Sequence, residues 1–342
     1  MKAWLLNRIS NLDTASRPLE LTEIPVPVPK DFEILIKVLC CGICHTELDE
    51  IEGRTPPEQY PIILGHQVVG IVEKCGKHTT YFKSGDRVGV AWISAACGQC
   101  EYCVAGLENL CPDFKATGRD TNGGYAEFMV VDERFAYPIP STFSDNEAAP
   151  LLCAGAIGYR SLRLTVITDG QTLGLTGFGA SGHLVLKMAL HLYPNSPVYV
   201  FARSKDEQKF ALDLGATWAG KITDTPPQKA NAIIDTTPVW TTAVDSLLHL
   251  KPGGRLVINA IRKESGDLDA LLNISYQDHL WMEKEIKTVA NITRTDVSEF
   301  LTLAASIPII PAVETYPFDK ANEAIMDLKH KHVMGAKVLV CG

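Results

Sequence analysis

Cys97, Cys100, Cys103 and Cys111 place four thiols within fifteen residues. As thiolates they can complete one tetrahedral Zn2+ and leave no position for a substrate, which is the mark of a structural site. An iron–sulfur cluster makes the same ligand demand and stays open on the residues alone. A Cys-X-X-Cys redox pair is a third option, but such pairs sit on βαβ units and this run lies in a loop of a β-rich stretch. Unligated buried thiols are the fourth, and four at this spacing speak against them.

A second constellation is Gly177-Phe178-Gly179-Ala180-Ser181-Gly182, between an expected strand at 172–176 and an expected helix at 180–192. A glycine run of this form is weak alone. The strand before it and the helix after it supply the context for a dinucleotide loop, with the pyrophosphate at the helix N-terminus. The next expected strand, 198–202, decides the coenzyme. An NAD site would usually end it with an acid for the ribose hydroxyls. Here Arg203-Ser204-Lys205 follows, and Asp206 falls in the next helix. A guanidinium can stack on adenine and pair with a 2′-phosphate, so NADP(H) is favoured, with NAD(H) as the alternative. Asp235 and Asn259 close later strands, where open α/β sheets bind ligands.

Other residues have chemistry but no motif of their own. Cys44-His45-Thr46-Glu47 follows a strand, Gly65-His66-Gln67 precedes one, and Cys153 stands alone. A single Cys is usually a small core hydrophobe and a single His a hydrogen-bonded one. Spacing does not join these three segments.

The 342 residues are enough for two domains of about 150 each. A composition of 46% apolar and 21% charged residues is that of a globular chain. The net charge is −8, without a block of like charges, which disfavours nucleic acid as a partner. Ten cysteines, a polar N-terminus and the lack of a long apolar run point to a cytoplasmic protein without a membrane span.

Up to about residue 150 the pattern is β-rich, with strands expected at 34–40, 68–74, 86–90 and 125–131. Beyond it strands and helices alternate: strands at 172–176, 198–202, 231–236, 254–260 and 286–292, helices at 180–192, 205–214 and 241–250. This α/β rhythm implies a doubly wound parallel sheet. The last fifty residues break the rhythm and are expected to return to the first domain. They hold a helix near 297–306, a strand at 313–316, a helix at 320–331 and a strand at 337–341.

Several of these motifs occur together and in order: Gly42-Ile43-Cys44-His45-Thr46, Gly65-His66, the four-cysteine lobe, Asn122-Gly123-Gly124-Tyr125-Ala126-Glu127, the glycine loop, and Lys251-Pro252-Gly253-Gly254. Over essentially its whole length the chain resembles the zinc-dependent alcohol dehydrogenases of the medium-chain dehydrogenase/reductase superfamily. The resemblance implies a Rossmann doubly wound parallel sheet at 152–294 and a discontinuous, β-rich GroES-like catalytic domain at 1–151 and 295–342. It implies two Zn2+ per chain: a structural one on Cys97, Cys100, Cys103 and Cys111, and a catalytic one on Cys44, His66 and Cys153 that keeps one position for water or substrate. Thr46 matches the hydroxyl that takes the alcohol proton and passes it toward the coenzyme ribose. His45 and Lys337 match pyrophosphate contacts, and Trp92 matches a substrate-pocket wall.

Three positions depart from the pattern. Glu47 replaces the Asp that orients the zinc histidine, Gln67 replaces a Glu, and Asp49 replaces the His that ends the proton relay. The implied activity is hydride transfer between NADP(H) and a primary alcohol or aldehyde, in a homodimer or homotetramer. Two alternatives are a zinc-free quinone or enoyl reductase, whose members lack the cysteine lobe, and a zinc-stabilised nucleotide-sensing regulator.

Overall fold

Strand Glu33–Ile43 is the axis of the first half of the protein. Ile34, Ile36, Val38 and Cys40 alternate into the core while Lys37 points out, the period of a half-buried strand. In the computed structural model, which describes residues 1–307, 309–330 and 335–341 but not the Ala180 side chain, this strand pairs antiparallel with three others. They are Val68–Cys75, Phe128–Asp132 and the C-terminal Ala336–Val340. The sheet continues through Arg87–Val90 to Ala136–Pro138 on one side and through Val313–Pro317 on the other.

The C-terminal segment thus lies in the same unit as the N-terminal one. That unit comprises Met1–Ala156 and Ile292–Gly342, and the second unit is Ile157–Asn291. The first exchange falls later than the expected 151/152 boundary and the second a little before 294/295. As a consequence Cys153, which that boundary assigns to the nucleotide-binding part, belongs to the first unit.

The second unit is built on six parallel strands. Their order is Trp218–Gly220, Val198–Phe201, Leu173–Thr176, Ala230–Asp235, Leu250–Ile258, Glu285–Thr288. Numbered along the chain this is 3-2-1-4-5-6, the Rossmann order. The order reverses between Leu173–Thr176 and Ala230–Asp235, and ligands bind at the carboxyl ends beside such a reversal. Four-residue strands such as Leu173–Thr176 and Val198–Phe201 are buried throughout, as a sheet covered on both faces requires. Trp218–Gly220 was not foreseen: three residues just beyond the expected helix at 205–214 carry no period. Among the described residues no helix is long and apolar enough to cross a membrane.

Candidate functional site

The first unit brings Cys44, His66 and Cys153 together. Cys44 is the N-cap of helix His45–Ile51, and its Sγ accepts from the Thr46 N–H at 3.4 Å. Glu47, three residues on, returns Oε2 to the Cys44 N–H at 2.9 Å and completes a capping box. The other oxygen of the same carboxylate, Oε1, stands 2.7 Å from His66 Nδ1, with both side chains buried. That contact keeps the proton on Nδ1 and leaves the Nε2 lone pair for a metal. The additional methylene of Glu over Asp lets one carboxylate reach both partners.

His66 enters after Gly65, whose φ of +97° only glycine adopts readily; a Cβ there would lie 2.5 Å from the Tyr125 ring. Cys153 comes from a π-helical turn, Leu151–Gly155, directly after Pro150. Proline has no N–H to give the helix, and widened turns of this kind recur at functional sites.

One ligand atom each from Cys44, His66 and Cys153 lies within 4.8 Å of the others. Cys44 Sγ and His66 Nε2 are 3.7 Å apart. Zinc bonds of about 2.3 Å to sulfur and about 2.05 Å to nitrogen put such atoms about 3.6 Å apart across a tetrahedral angle, so the pair fits a metal. The electrostatics agree. A hydrogen bond with Cys153, burial and the Glu47 charge push the Cys44 thiol well above its ordinary pKa. Burial opposes charge on His66, but Glu47 and Cys44 outweigh it and raise its pKa. A divalent cation is the group that stabilises adjacent thiolates in such a pocket.

Around these ligands, Trp92 is buried with its ring against His66, centroids 5.0 Å apart at 82°. Arg119 lies over the Trp92 ring, 5.7 Å from its centroid. Thr46 is half-buried and His45 exposed on the first turn of the helix. Gln67 is buried and packs against Gly42. Asp49 is ion-paired to Arg54 Nε, so the position of the relay histidine holds a carboxylate engaged by an arginine. Glu50, missed on the sequence, is fully buried one turn along the helix from Thr46. Its i+4 spacing from Thr46 and i+3 spacing from Glu47 were the available signal.

The four cysteines of the lobe come together. Cys97, Cys100, Cys103 and Cys111 each offer Sγ within 4.8 Å of the rest, with Cys97 and Cys103 at 3.8 Å. A ZnS4 tetrahedron with bonds of about 2.3 Å has edges of about 3.8 Å. Cys100 N–H donates to Cys97 Sγ at 3.3 Å and Cys97 N–H to Cys111 Sγ at 3.4 Å. The Gln99 and Cys100 N–H groups hold the Cys97 thiol down to about 6, so it favours the thiolate. All ten cysteines are free of disulfides. Burial pushes Cys40 up to about 12, and Cys41 and Cys341 are likewise raised, as unreactive core thiols are.

In the second unit the three motif glycines have different reasons to be glycine. Gly177 has φ +79°, and a Cβ would lie 2.8 Å from Thr236 Oγ1. At Gly182 a Cβ would lie 2.8 Å from the Gly177 carbonyl oxygen, whereas at Gly179 it would meet nothing within 4 Å. The open face of Gly179, at the N-cap of helix Ala180–Leu192, is where a pyrophosphate can approach the backbone. Gly179→Ala should therefore raise the coenzyme KM about tenfold with an unchanged Tm, whereas Gly177→Ala should lower the Tm as well. Equal effects on both readouts would contradict this division. Ser181 is half-buried on the first turn of that helix.

Arg203 is exposed and makes no ion pair among the described residues. The Ser204 hydroxyl caps helix Lys205–Asp213, accepting from Glu207 N–H at 3.1 Å and donating to Glu207 Oε2 at 3.0 Å. Lys205 Nζ donates to Gln208 Oε1 at 2.9 Å. Asn259 N–H donates to the Asp235 carbonyl at 2.8 Å. The Asp235 carboxylate is buried, accepts from Thr176 and Thr237, and pairs with Lys263 Nζ, a lysine no motif announced. Lys337 requires a correction. It is 2% exposed on strand Ala336–Val340, and its Nζ donates to Glu314 Oε2 at 2.6 Å and Tyr316 OH at 2.5 Å. The ammonium expected on a pyrophosphate is held inside its own unit.

Known proteins agree with this architecture. Residues 30–141 match the alcohol dehydrogenase GroES-like domain family. A probable alcohol dehydrogenase, AdhA, of Mycobacterium tuberculosis is 41% identical over 99% of this chain and 97% of its own length. An alcohol dehydrogenase of Geobacillus stearothermophilus is 32% identical over 99% of this chain and 98% of its own. The solved structure of a Sorghum bicolor cinnamyl alcohol dehydrogenase superposes with a TM-score of 0.85 at 28% identity, covering 99% of this chain and 97% of that one. Such identity over the full length of both partners, joined to a Rossmann sheet and a GroES-like unit, shows that the chain belongs to the alcohol dehydrogenases of the medium-chain dehydrogenase/reductase superfamily.

Proposed function

We propose that the protein is a zinc-dependent alcohol dehydrogenase or aldehyde reductase that exchanges a hydride between NADP(H) and a primary alcohol or aldehyde. The observation that carries this reading is the Cys44, His66 and Cys153 cluster, with His66 oriented by Glu47. Cys44, His66 and Cys153 would hold the catalytic Zn2+, and Cys97, Cys100, Cys103 and Cys111 the structural one. When bound, the catalytic metal supplies Lewis-acid polarisation of the substrate oxygen and the nicotinamide carries the hydride.

The chain's own residues do the rest. Glu47 fixes the His66 tautomer, and Thr46 Oγ1 takes the hydroxyl proton in oxidation and returns it in reduction. Trp92 forms an apolar wall that keeps water from the reacting carbon. Asp49, tied to Arg54, takes no part in proton transfer.

Arg203 carries the coenzyme preference: it is exposed at the end of the second Rossmann strand, where a 2′-phosphate can meet it. The first domain is taken as the GroES-like catalytic domain and the second as the coenzyme domain. A homodimer or homotetramer suits the exposed edge strand Glu285–Thr288, every residue of which faces solvent beside exposed Trp281 and Met282. The test is kcat/KM with NADPH and NADH on aliphatic, allylic and aromatic aldehydes, beside zinc content. NADPH should be preferred, and Arg203→Ala should lower its kcat/KM about 10–100-fold while sparing NADH. A strong NADH preference in the unaltered enzyme defeats the coenzyme assignment, and fewer than two zincs per chain the metal assignment.

A further inference from the structure

Glu50 is a carboxylic side chain in an unusual position. It is fully buried, and neither oxygen has a hydrogen-bond partner among the described residues. A buried polar group without a partner is rare enough to need a reason. Its charged neighbours do not supply one. Arg119, within electrostatic range, gives its guanidinium to Asp120 through Nε at 2.9 Å and a second nitrogen at 2.8 Å. Glu47 is held by His66 and Cys44.

The surroundings of Glu50 are those of the candidate metal centre. It shares a helix face with Thr46, at i+4 in His45–Ile51, where side chains stack about 6 Å apart. The Arg119 within its electrostatic range also lies over the Trp92 ring. Thr46 and Trp92 are the groups that the proposed function sets beside the substrate. A substrate oxygen near Thr46 would put the atoms a few bonds further along its chain within reach of Glu50.

Resting on that function, we propose that Glu50 is a specificity-determining residue that hydrogen-bonds a second hydroxyl of the substrate, three or four carbons from the reacting end, so that the enzyme selects hydroxylated primary alcohols and aldehydes over plain alkyl ones. A hydroxyl both donates and accepts, so it satisfies the carboxyl group whether ionised or neutral. An ammonium satisfies only the ionised form.

The test compares 1-butanol, 1,3-butanediol and 1,4-butanediol as substrates of the zinc-loaded enzyme with NADP+ and with NAD+, in the unaltered protein, Glu50→Gln and Glu50→Leu. The unaltered enzyme should prefer one diol over 1-butanol by about tenfold or more in kcat/KM. Glu50→Leu should bring that ratio near one by losing the diol and gaining the butanol. Glu50→Gln, with a donor and an acceptor, should retain most of it. Titration of tryptophan fluorescence with each alcohol reads binding without turnover and should show the same collapse. Oxidation of all three at similar rates by the unaltered enzyme overturns the role of Glu50 and leaves the proposed function standing. So does a Glu50→Leu that lowers the Tm or all three rates alike, because Glu50 is then a structural group. Zinc-replete protein that oxidises none of a broad alcohol panel with either coenzyme overturns the proposed function and this inference with it.

Discussion

In His66→Ala, kcat/KM for a primary alcohol should fall by roughly 10^3 to 10^5, and one zinc per chain should be lost. The magnitude follows from the several kcal/mol that a Lewis acid contributes to a developing charge, at about 1.4 kcal/mol per power of ten. His66 is 1% exposed and Glu47 0% exposed, so the variant also strands a carboxylate whose oxygen stood 2.7 Å from the ring. A milder change at Glu47 separates orientation from ligation: Glu47→Ala should weaken zinc binding or activity by about 10–100-fold. Thr46→Val should keep both zincs and lose roughly 10^2 to 10^4 in turnover, the range of a positioned proton acceptor. Zinc analysis with steady-state kinetics checks all three variants. A His66→Ala enzyme within tenfold of the parent would falsify the ligand assignment.

Cys111→Ser should remove the other zinc and act mainly on stability. Cys111 is the most buried of the four and accepts the Cys97 N–H. Structural zinc contributes about 10–16 kcal/mol of apparent binding energy in small zinc domains, comparable to the whole margin of an ordinary fold. The effect should spread beyond the lobe. Glu108, from the turn Glu108–Leu110 just before Cys111, accepts from Arg294 N–H and Nε, both at 2.9 Å. Arg294 opens helix Arg294–Ser306, so loosening the lobe releases a buried carboxylate and the start of that helix together. Differential scanning calorimetry should show a Tm lower by about 10 °C or more. An unchanged Tm with two zincs retained sinks the closed-site reading.

The elements with strong periods were legible. Helix Ala180–Leu192 has the bounds its pattern suggested, and Val68–Cys75 and Val198–Phe201 lie within a residue of theirs. The gathering of Cys97, Cys100, Cys103 and Cys111 was legible because the four are local in sequence. Spacing did not join Cys44, His66 and Cys153, which only the resemblance brought together, because their meeting depends on a strand end, a left-handed glycine and a π turn, none of which has a residue signature of its own. Strand Leu250–Ile258 began early because Lys251-Pro252-Gly253-Gly254, which reads as a turn, is absorbed into its irregular first half next to a register shift. Glu50 was missed because it is a charged group inside the protein, and a charge read from sequence alone is placed at the surface; Lys337 was named by the resemblance, and the structure holds its ammonium on Glu314 and Tyr316.

Glu47 joins a helix start to a candidate metal ligand, His66, through one side chain. The consequence is a coupled tolerance. A substitution that frays the first turn of His45–Ile51 also turns the imidazole, and one that displaces the imidazole also uncaps the helix. Neither fault can be repaired alone. Anyone transplanting this centre into another scaffold must therefore carry a strand end, a helical turn and a histidine loop as one part, because the ligands without their shared brace are only three side chains.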